Sequence, residues 1–253
     1  MQSSFVTLDG LSLAWYELGS GDALPPILLQ HGFSASTYSE WVECGIARSL
    51  ATLGRRVIGL DARGHGRSEK PHLSRYYGEV LMARDISELV DHLGITQFDL
   101  VGYSMGGVIA TVLATHEPRL RRVVISGVGE AVVLTGGVDR RVLATDELAA
   151  CLRASDTTGF SPIAQAFRAG AEVRANDLAA LAAQCDAVAD RVIDFAAITA
   201  DTLVVAGDTD PLAVHPERLA AAIAGARLVL VPGDHTAARL SPQYTSALLD
   251  FLG

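Results

Sequence analysis

"LVGYSMGGV", residues 100–108, decides how this chain is read. An apolar, strand-like run stops at Gly102, and Ser104 stands between glycines before a second apolar run begins. Gly-x-Ser-x-Gly at a strand-to-helix join is the context in which a serine is held in a strained turn with its hydroxyl exposed. The glycines let neighbouring backbone approach where a side chain would clash. The following helix would aim its positive N-terminal end at the serine. A plain tight turn accounts for the same pentapeptide, so partners elsewhere in the chain must decide.

Working outward, "PPILLQHG" (25–32), "RRVIGLDARGHG" (55–66), "QFDLVGYS" (97–104), "RRVVISGVG" (121–129), "DTLVVAGD" (201–208) and "ARLVLVPGD" (226–234) are short apolar runs ending in glycine. Apolar on both faces, they fit strands of a parallel sheet covered by helices. Helical periodicity fills the gaps at 41–53, 79–93, 105–115, 216–224 and 242–252. At the front, 4–8 and 11–18 flank Asp9-Gly10, which predicts a hairpin with a tight turn. The expected fold is therefore α/β, a mostly parallel sheet flanked by helices. The rhythm breaks at 130–200, which carries Ala-rich helical patterns at 142–153, 161–174 and 177–190. These are expected to form a helical cap on a core made of 1–129 and 201–253.

Composition narrows the function. The 253 residues are 49% hydrophobic and 19% charged, with a net charge of −9. That balance disfavours nucleic-acid or anionic-membrane partners, which need a surplus of Lys and Arg. The three cysteines, Cys44, Cys151 and Cys185, are widely spaced. No metal cluster or disulfide framework is expected, and a reducing cytoplasm fits. No dinucleotide fingerprint follows the first strand, so no cofactor is expected. The start "MQSSFVTLDG" lacks a basic segment followed by an apolar one, and no signal peptide or membrane span is expected.

The serine's partners lie downstream. "VVAGDTDPL" (204–212) ends one strand with Asp208 and Asp210, and "VPGDHTAA" (231–238) ends the last with His235. Groups past the C-terminal ends of parallel strands share the edge where such sheets bind ligands. His235 would be the general base toward Ser104, oriented by an aspartate. In "LLQHGFS" (28–34) the backbone N–H of Phe33, with that of Met105, is placed to stabilise an oxyanion, and His31 is expected to brace the loop.

The pieces HGF (31–33), DARGHGRS (61–68), GYSMGG (102–107), GDTDP (207–211) and GDH (233–235) make the chain resemble α/β-hydrolase-fold serine hydrolases. The resemblance implies a triad of Ser104, Asp210 and His235, with Glu130 the outside candidate for the acid. It also implies a chiefly structural role for the DARGHGRS loop. Serine at the elbow disfavours epoxide hydrolase and haloalkane dehalogenase chemistry, which use aspartate there. The default activity is esterase-like, on a small or medium organic molecule. Carbon–carbon hydrolases, enol-lactonases, perhydrolases and a signal sensor with little turnover share the fold. Val108 replaces the arginine usual after the elbow of a menaquinone-pathway lyase. Among cap arginines 140, 141, 153, 168 and 174, one could grip a substrate carboxylate.

Overall fold

The computed structural model describes residues 2–21 and 24–253. Eight strands form one sheet: β1 (Gln2–Val6), β2 (Ser12–Gly19), β3 (Ile27–Gln30), β4 (Val57–Leu60), β5 (Phe98–Tyr103), β6 (Leu120–Ser126), β7 (Asp201–Gly207) and β8 (Arg227–Val231). Their order is β1-β2-β4-β3-β5-β6-β7-β8. β2 pairs antiparallel with both β1 and β4, and the pairs from β4 through β8 are parallel. After β3 the chain moves to one side for β4 and then to the other for β5. That reversal opens a crevice beyond the C-terminal ends of β3 and β5, the preferred ligand position in such sheets.

Alternate strand residues build two cores. Leu28, Ile58, Leu100, Val123 and Val204 pack with α2 (Glu79–His92), α3 (Met105–Ala114) and α8 (Pro216–Ala222). Ile27, Leu29, Val57, Val101 and Val205 pack with α1 (Ile46–Ala51) and α10 (Pro242–Leu252). The period-2 alternation of side chains puts an apolar residue on each face at every step.

Two local expectations change. The helix expected over 41–53 is divided into a π-helical turn, Tyr38–Val42, and α1, because Gly45 takes φ 81° between them. The hairpin forms, but its ladder stops at Val6 and Ser12, and of Asp9 and Gly10 only Gly10 has positive φ. Thr7 Oγ1 donates to Asp9, which also binds Arg63, and these contacts shape a wider loop.

Between β6 and β7 lie α4 (Glu130–Thr135), α5 (Thr145–Arg153), α6 (Pro162–Val173) and α7 (Leu178–Cys185). α4 packs on α8 of the sheet region. The other three form a small apolar cluster of their own, joined by Leu212 and the half-buried Phe33. Ser161 and Asp177 cap α6 and α7 by accepting backbone N–H bonds.

Candidate active site

β5 runs directly into α3, and Ser104 forms the corner with φ 56° and ψ −119°. This is a left-handed value that a non-glycine residue holds only under constraint. The constraint is visible: the Ser104 N–H donates to the Ser126 carbonyl at 2.8 Å, and its carbonyl accepts from Gly107 N–H at 2.8 Å. A Cβ on Gly102 would stand 2.1 Å from the Gly106 carbonyl oxygen, and one on Gly106 would stand 2.1 Å from that of Gln30. The two flanking glycines are therefore required by close backbone approach.

His235 Nε2 lies 3.0 Å from Ser104 Oγ, and His235 Nδ1 lies 2.8 Å from Asp210 Oδ2. With the carboxylate on Nδ1, that nitrogen carries the proton and Nε2 is free to accept from the serine. The Asp210 side chain is fully buried, and its other oxygen accepts from Leu212 N–H at 2.8 Å. Tyr103 donates to the His235 carbonyl at 2.6 Å and pins the loop that carries the imidazole.

The other two acids are occupied elsewhere. Asp208 is exposed and accepts from Gly233 N–H at 2.9 Å, bracing the His235 loop from outside. Glu130 is buried between Arg141 at 2.7 Å and Arg218 at 2.6 Å. Hydrogen bonding from Arg141, with both positive charges beside it, holds its carboxyl below the usual range. Neither acid binds His235.

The loop after β3 faces the serine from the other side. Among the described residues, the N–H groups of Phe33 and Met105 have no protein acceptor. Two imidazoles support this loop. His31 Nδ1–H donates to the Gly32 carbonyl at 2.8 Å while Nε2 accepts from Ala62 N–H at 3.0 Å. His65 Nδ1–H donates to the Arg63 carbonyl at 3.0 Å while Nε2 accepts from Ser34 N–H at 3.1 Å. Both rings have both nitrogens engaged. Burial, with His31 alongside, pushes His65 down to about 3. Ser34 sits at φ 57°, so His65 holds the loop in another left-handed conformation next to Phe33.

The rest of DARGHGRS is also bonded inward. Asp61 accepts from Thr37 N–H, Arg67 N–H and the Tyr16 hydroxyl, and Arg63 is paired with Asp85 and Asp9.

Sequence reasoning missed Glu40 and Arg239. The buried Glu40 accepts from Gly32 N–H at 2.8 Å and pairs with Arg239 at 2.5 Å, beside the ring of Tyr103. Glu40 lies one residue before the stretch read as a helix, 41–53, and nothing nearby in sequence marks it.

Ser104 lies where two cavities meet. One, of about 260 Å³, opens to solvent past His235, Thr236 and Arg174. The other, of about 60 Å³, is lined mainly by Met105, Val108, Leu143, Leu148, Phe167 and Leu212, with Glu79 and Gln184 at its wall. Among the described residues, only Phe33, Ser104 and Phe167 line both. Burial pushes the Glu79 carboxyl up, opposed by its partner Arg191 at 2.6 Å. Among the described residues no group of three His, Cys, Asp or Glu side chains could hold a metal ion, and no helix is long and apolar enough to cross a membrane.

A solved hydrolase from Pseudomonas aeruginosa superposes with a TM-score of 0.80 and 31% identity, over 100% of this chain and 98% of that one. The chain belongs to the α/β-hydrolase fold family. The family model for that fold matches residues 25–136, which include the Ser104 elbow. The 2-hydroxymuconate semialdehyde hydrolase of Pseudomonas putida is 32% identical over 200 residues, 73% of this chain and 70% of that protein. The enol-lactonase of Burkholderia xenovorans shares the fold, with a TM-score of 0.78 and 24% identity over 99% of both chains. Against the first curated relatives it matches, the chain spans about a third of their length. Its α/β-hydrolase neighbours include esterases, an enol-lactonase and carbon–carbon bond hydrolases.

Proposed function

We propose that this chain is a serine hydrolase that cleaves an ester-like bond of a small or medium organic molecule through an acyl-enzyme. The observation that carries the reading is the unbroken chain Ser104 Oγ, His235 Nε2, His235 Nδ1, Asp210 Oδ2 at 3.0 and 2.8 Å. Ser104 Oγ attacks the carbonyl carbon while His235 takes its proton, and Asp210 stabilises the imidazolium. The N–H groups of Phe33 and Met105 receive the developing oxyanion, each worth about 3 kcal/mol in the transition state. His235 then protonates the leaving oxygen. In the second half it deprotonates water, which attacks the acyl-enzyme and frees the serine. The smaller, mainly apolar chamber takes the acyl part and the larger one past His235 the leaving group.

A second reading, carbon–carbon bond hydrolysis, is favoured by the likeness to 2-hydroxymuconate semialdehyde hydrolase. It uses the same serine with a carbon leaving group.

The test is multiple-turnover hydrolysis of p-nitrophenyl esters from acetate to decanoate, with Ser104→Ala as control. Serine-dependent turnover with an optimum at short acyl chains is expected. Turnover by Ser104→Ala equal to wild type would sink the assignment. A single product molecule per chain would turn the reading toward a sensor. Absent ester turnover with serine labelling by a fluorophosphonate would turn it toward carbon–carbon cleavage.

A further inference from the structure

Five cap arginines are candidates for holding a charged substrate, and the structure separates them. Arg140 pairs with Asp190, Arg141 with Asp139 and Glu130, Arg153 with Asp186, and Arg168 with Glu172. Arg174 has no carboxylate partner among the described residues. Its Nη1 reaches only the Gly170 carbonyl, at 3.1 Å. In a chain of net charge −9, a guanidinium with no carboxylate partner on the cavity that Ser104 also lines stands out.

The Arg174 side chain is exposed, and the backbone that carries it is fixed. Arg174 caps the C-terminal end of α6, and the next residue, Ala175, holds φ 52° without being glycine. Asn176 then donates from Nδ2 to the Ser34 carbonyl at 2.9 Å, fixing the end of α6 to the loop that carries Phe33. Arg174 lines the open chamber with Ser104 and His235. It also lines an adjoining cavity of about 270 Å³ that reaches Lys70. The Lys70 ammonium donates to the carbonyls of Gly66 and Ser68, each at 2.7 Å, leaving one of its three protons unassigned. Glu43 lines this second cavity too, on an exposed rim. Arg239, the other cation of the open chamber, is neutralised by Glu40.

Resting on the serine-hydrolase reading, we propose that Arg174, with Lys70 behind it, forms an anion subsite for the leaving-group half of the substrate. The leaving alcohol or phenol carries a carboxylate. The chamber given to the acyl half is mainly apolar and no Arg or Lys lines it, so the leaving half is the one placed to carry the charge. A planar guanidinium meets a carboxylate through two parallel N–H bonds, which an ammonium cannot copy.

The test compares 4-acetoxybenzoate with its neutral methyl ester, as a ratio of kcat/KM. Arg174→Gln should lower that ratio about fivefold to tenfold relative to wild type. Arg174→Lys should restore part of it, and Lys70→Gln should lower it less. In parallel, 4-hydroxybenzoate and its methyl ester are titrated by calorimetry onto Ser104→Ala, alone and combined with Arg174→Gln, so that binding is read without turnover. A preference for the anion that is lost with Arg174 supports the subsite. Equal binding of the two ligands, no binding of either, or a preference that survives Arg174→Gln overturns it. Lack of hydrolysis of both esters, with the anion preference intact in the titration, would instead count against the serine-hydrolase reading.

Discussion

Replacing Asp210 by asparagine tests the proposed acid with almost no change of shape. In the structure one oxygen of Asp210 accepts from Leu212 N–H and the other from His235 Nδ1–H, each at 2.8 Å. Asparagine has one acceptor and one donor group. If its oxygen keeps the Leu212 bond, its NH₂ faces Nδ1. The imidazole must then move its proton to Nε2, the nitrogen that should accept from Ser104. The base is lost although nothing has moved. The corresponding aspartate-to-asparagine change in a serine protease costs about 10⁴ in kcat, which equals about 5.5 kcal/mol of barrier. Here a fall of about 10³ to 10⁴ is expected. Asp208→Asn keeps an oxygen for Gly233 N–H and should stay within about threefold of wild type, as should Glu130→Gln, whose carboxylate is bound by two arginines instead of the histidine. The assay is kcat on the best p-nitrophenyl ester at about pH 8, above the range in which an ordinary histidine titrates, with circular dichroism to confirm folding. A loss below about tenfold for Asp210→Asn, or an equal loss for Asp208→Asn, would refute the assignment of the acid.

Two further outcomes bear on the scaffold. Gly106→Ala should cost at least about 3 kcal/mol in urea unfolding, because its Cβ would sit 2.1 Å from a backbone oxygen, while Gly159→Ala, in open space, should change stability by about 0.5 kcal/mol or less. Equal effects would contradict the packing of the elbow. His65, held at about 3 against about 6.5 in the unfolded chain, makes unfolding easier as pH falls. Between those values the unfolded chain binds the extra proton, so stability rises with pH at up to about 1.4 kcal/mol per unit and is fully present above about 6.5. Wild type should therefore lose about 2–3 kcal/mol more than His65→Asn between about pH 6.5 and 4.5 in urea titrations. Parallel losses would mean that His65 is not neutral in the folded protein.

The sheet is legible in the sequence because parallel strands are apolar on both faces and end in glycine where the chain turns, as in 97–104 and 201–208. Ser104, His235 and Asp210 are legible because each follows such a strand end, and the structure brings the three together. Composition and periodicity alone leave Asp208 and Asp210 equivalent. Only the loop's curvature decides which carboxylate meets the imidazole. Glu40 is invisible because its partner Arg239 lies 199 residues away in sequence. Two arginine pairs between β6 and β7 are equally hidden, since Arg140 with Asp190 and Arg153 with Asp186 join residues 50 and 33 apart in sequence. The two-residue turn at Asp9-Gly10 fails for a related reason. Arg63 competes for Asp9 from another loop.

The two chambers around Ser104 have a consequence for how such a protein changes over time. They share three residues, and Leu148 on one side belongs to a different element from Arg174 on the other. Substitutions that do not touch one another combine additively in free energy. On the serine-hydrolase reading, preference for the acyl part and preference for the leaving group can therefore drift separately, without a change at Ser104. Phe33 and Phe167 are the exceptions. A change at either alters both preferences together, so these two positions should be the slowest to move when the chain adapts to a new compound.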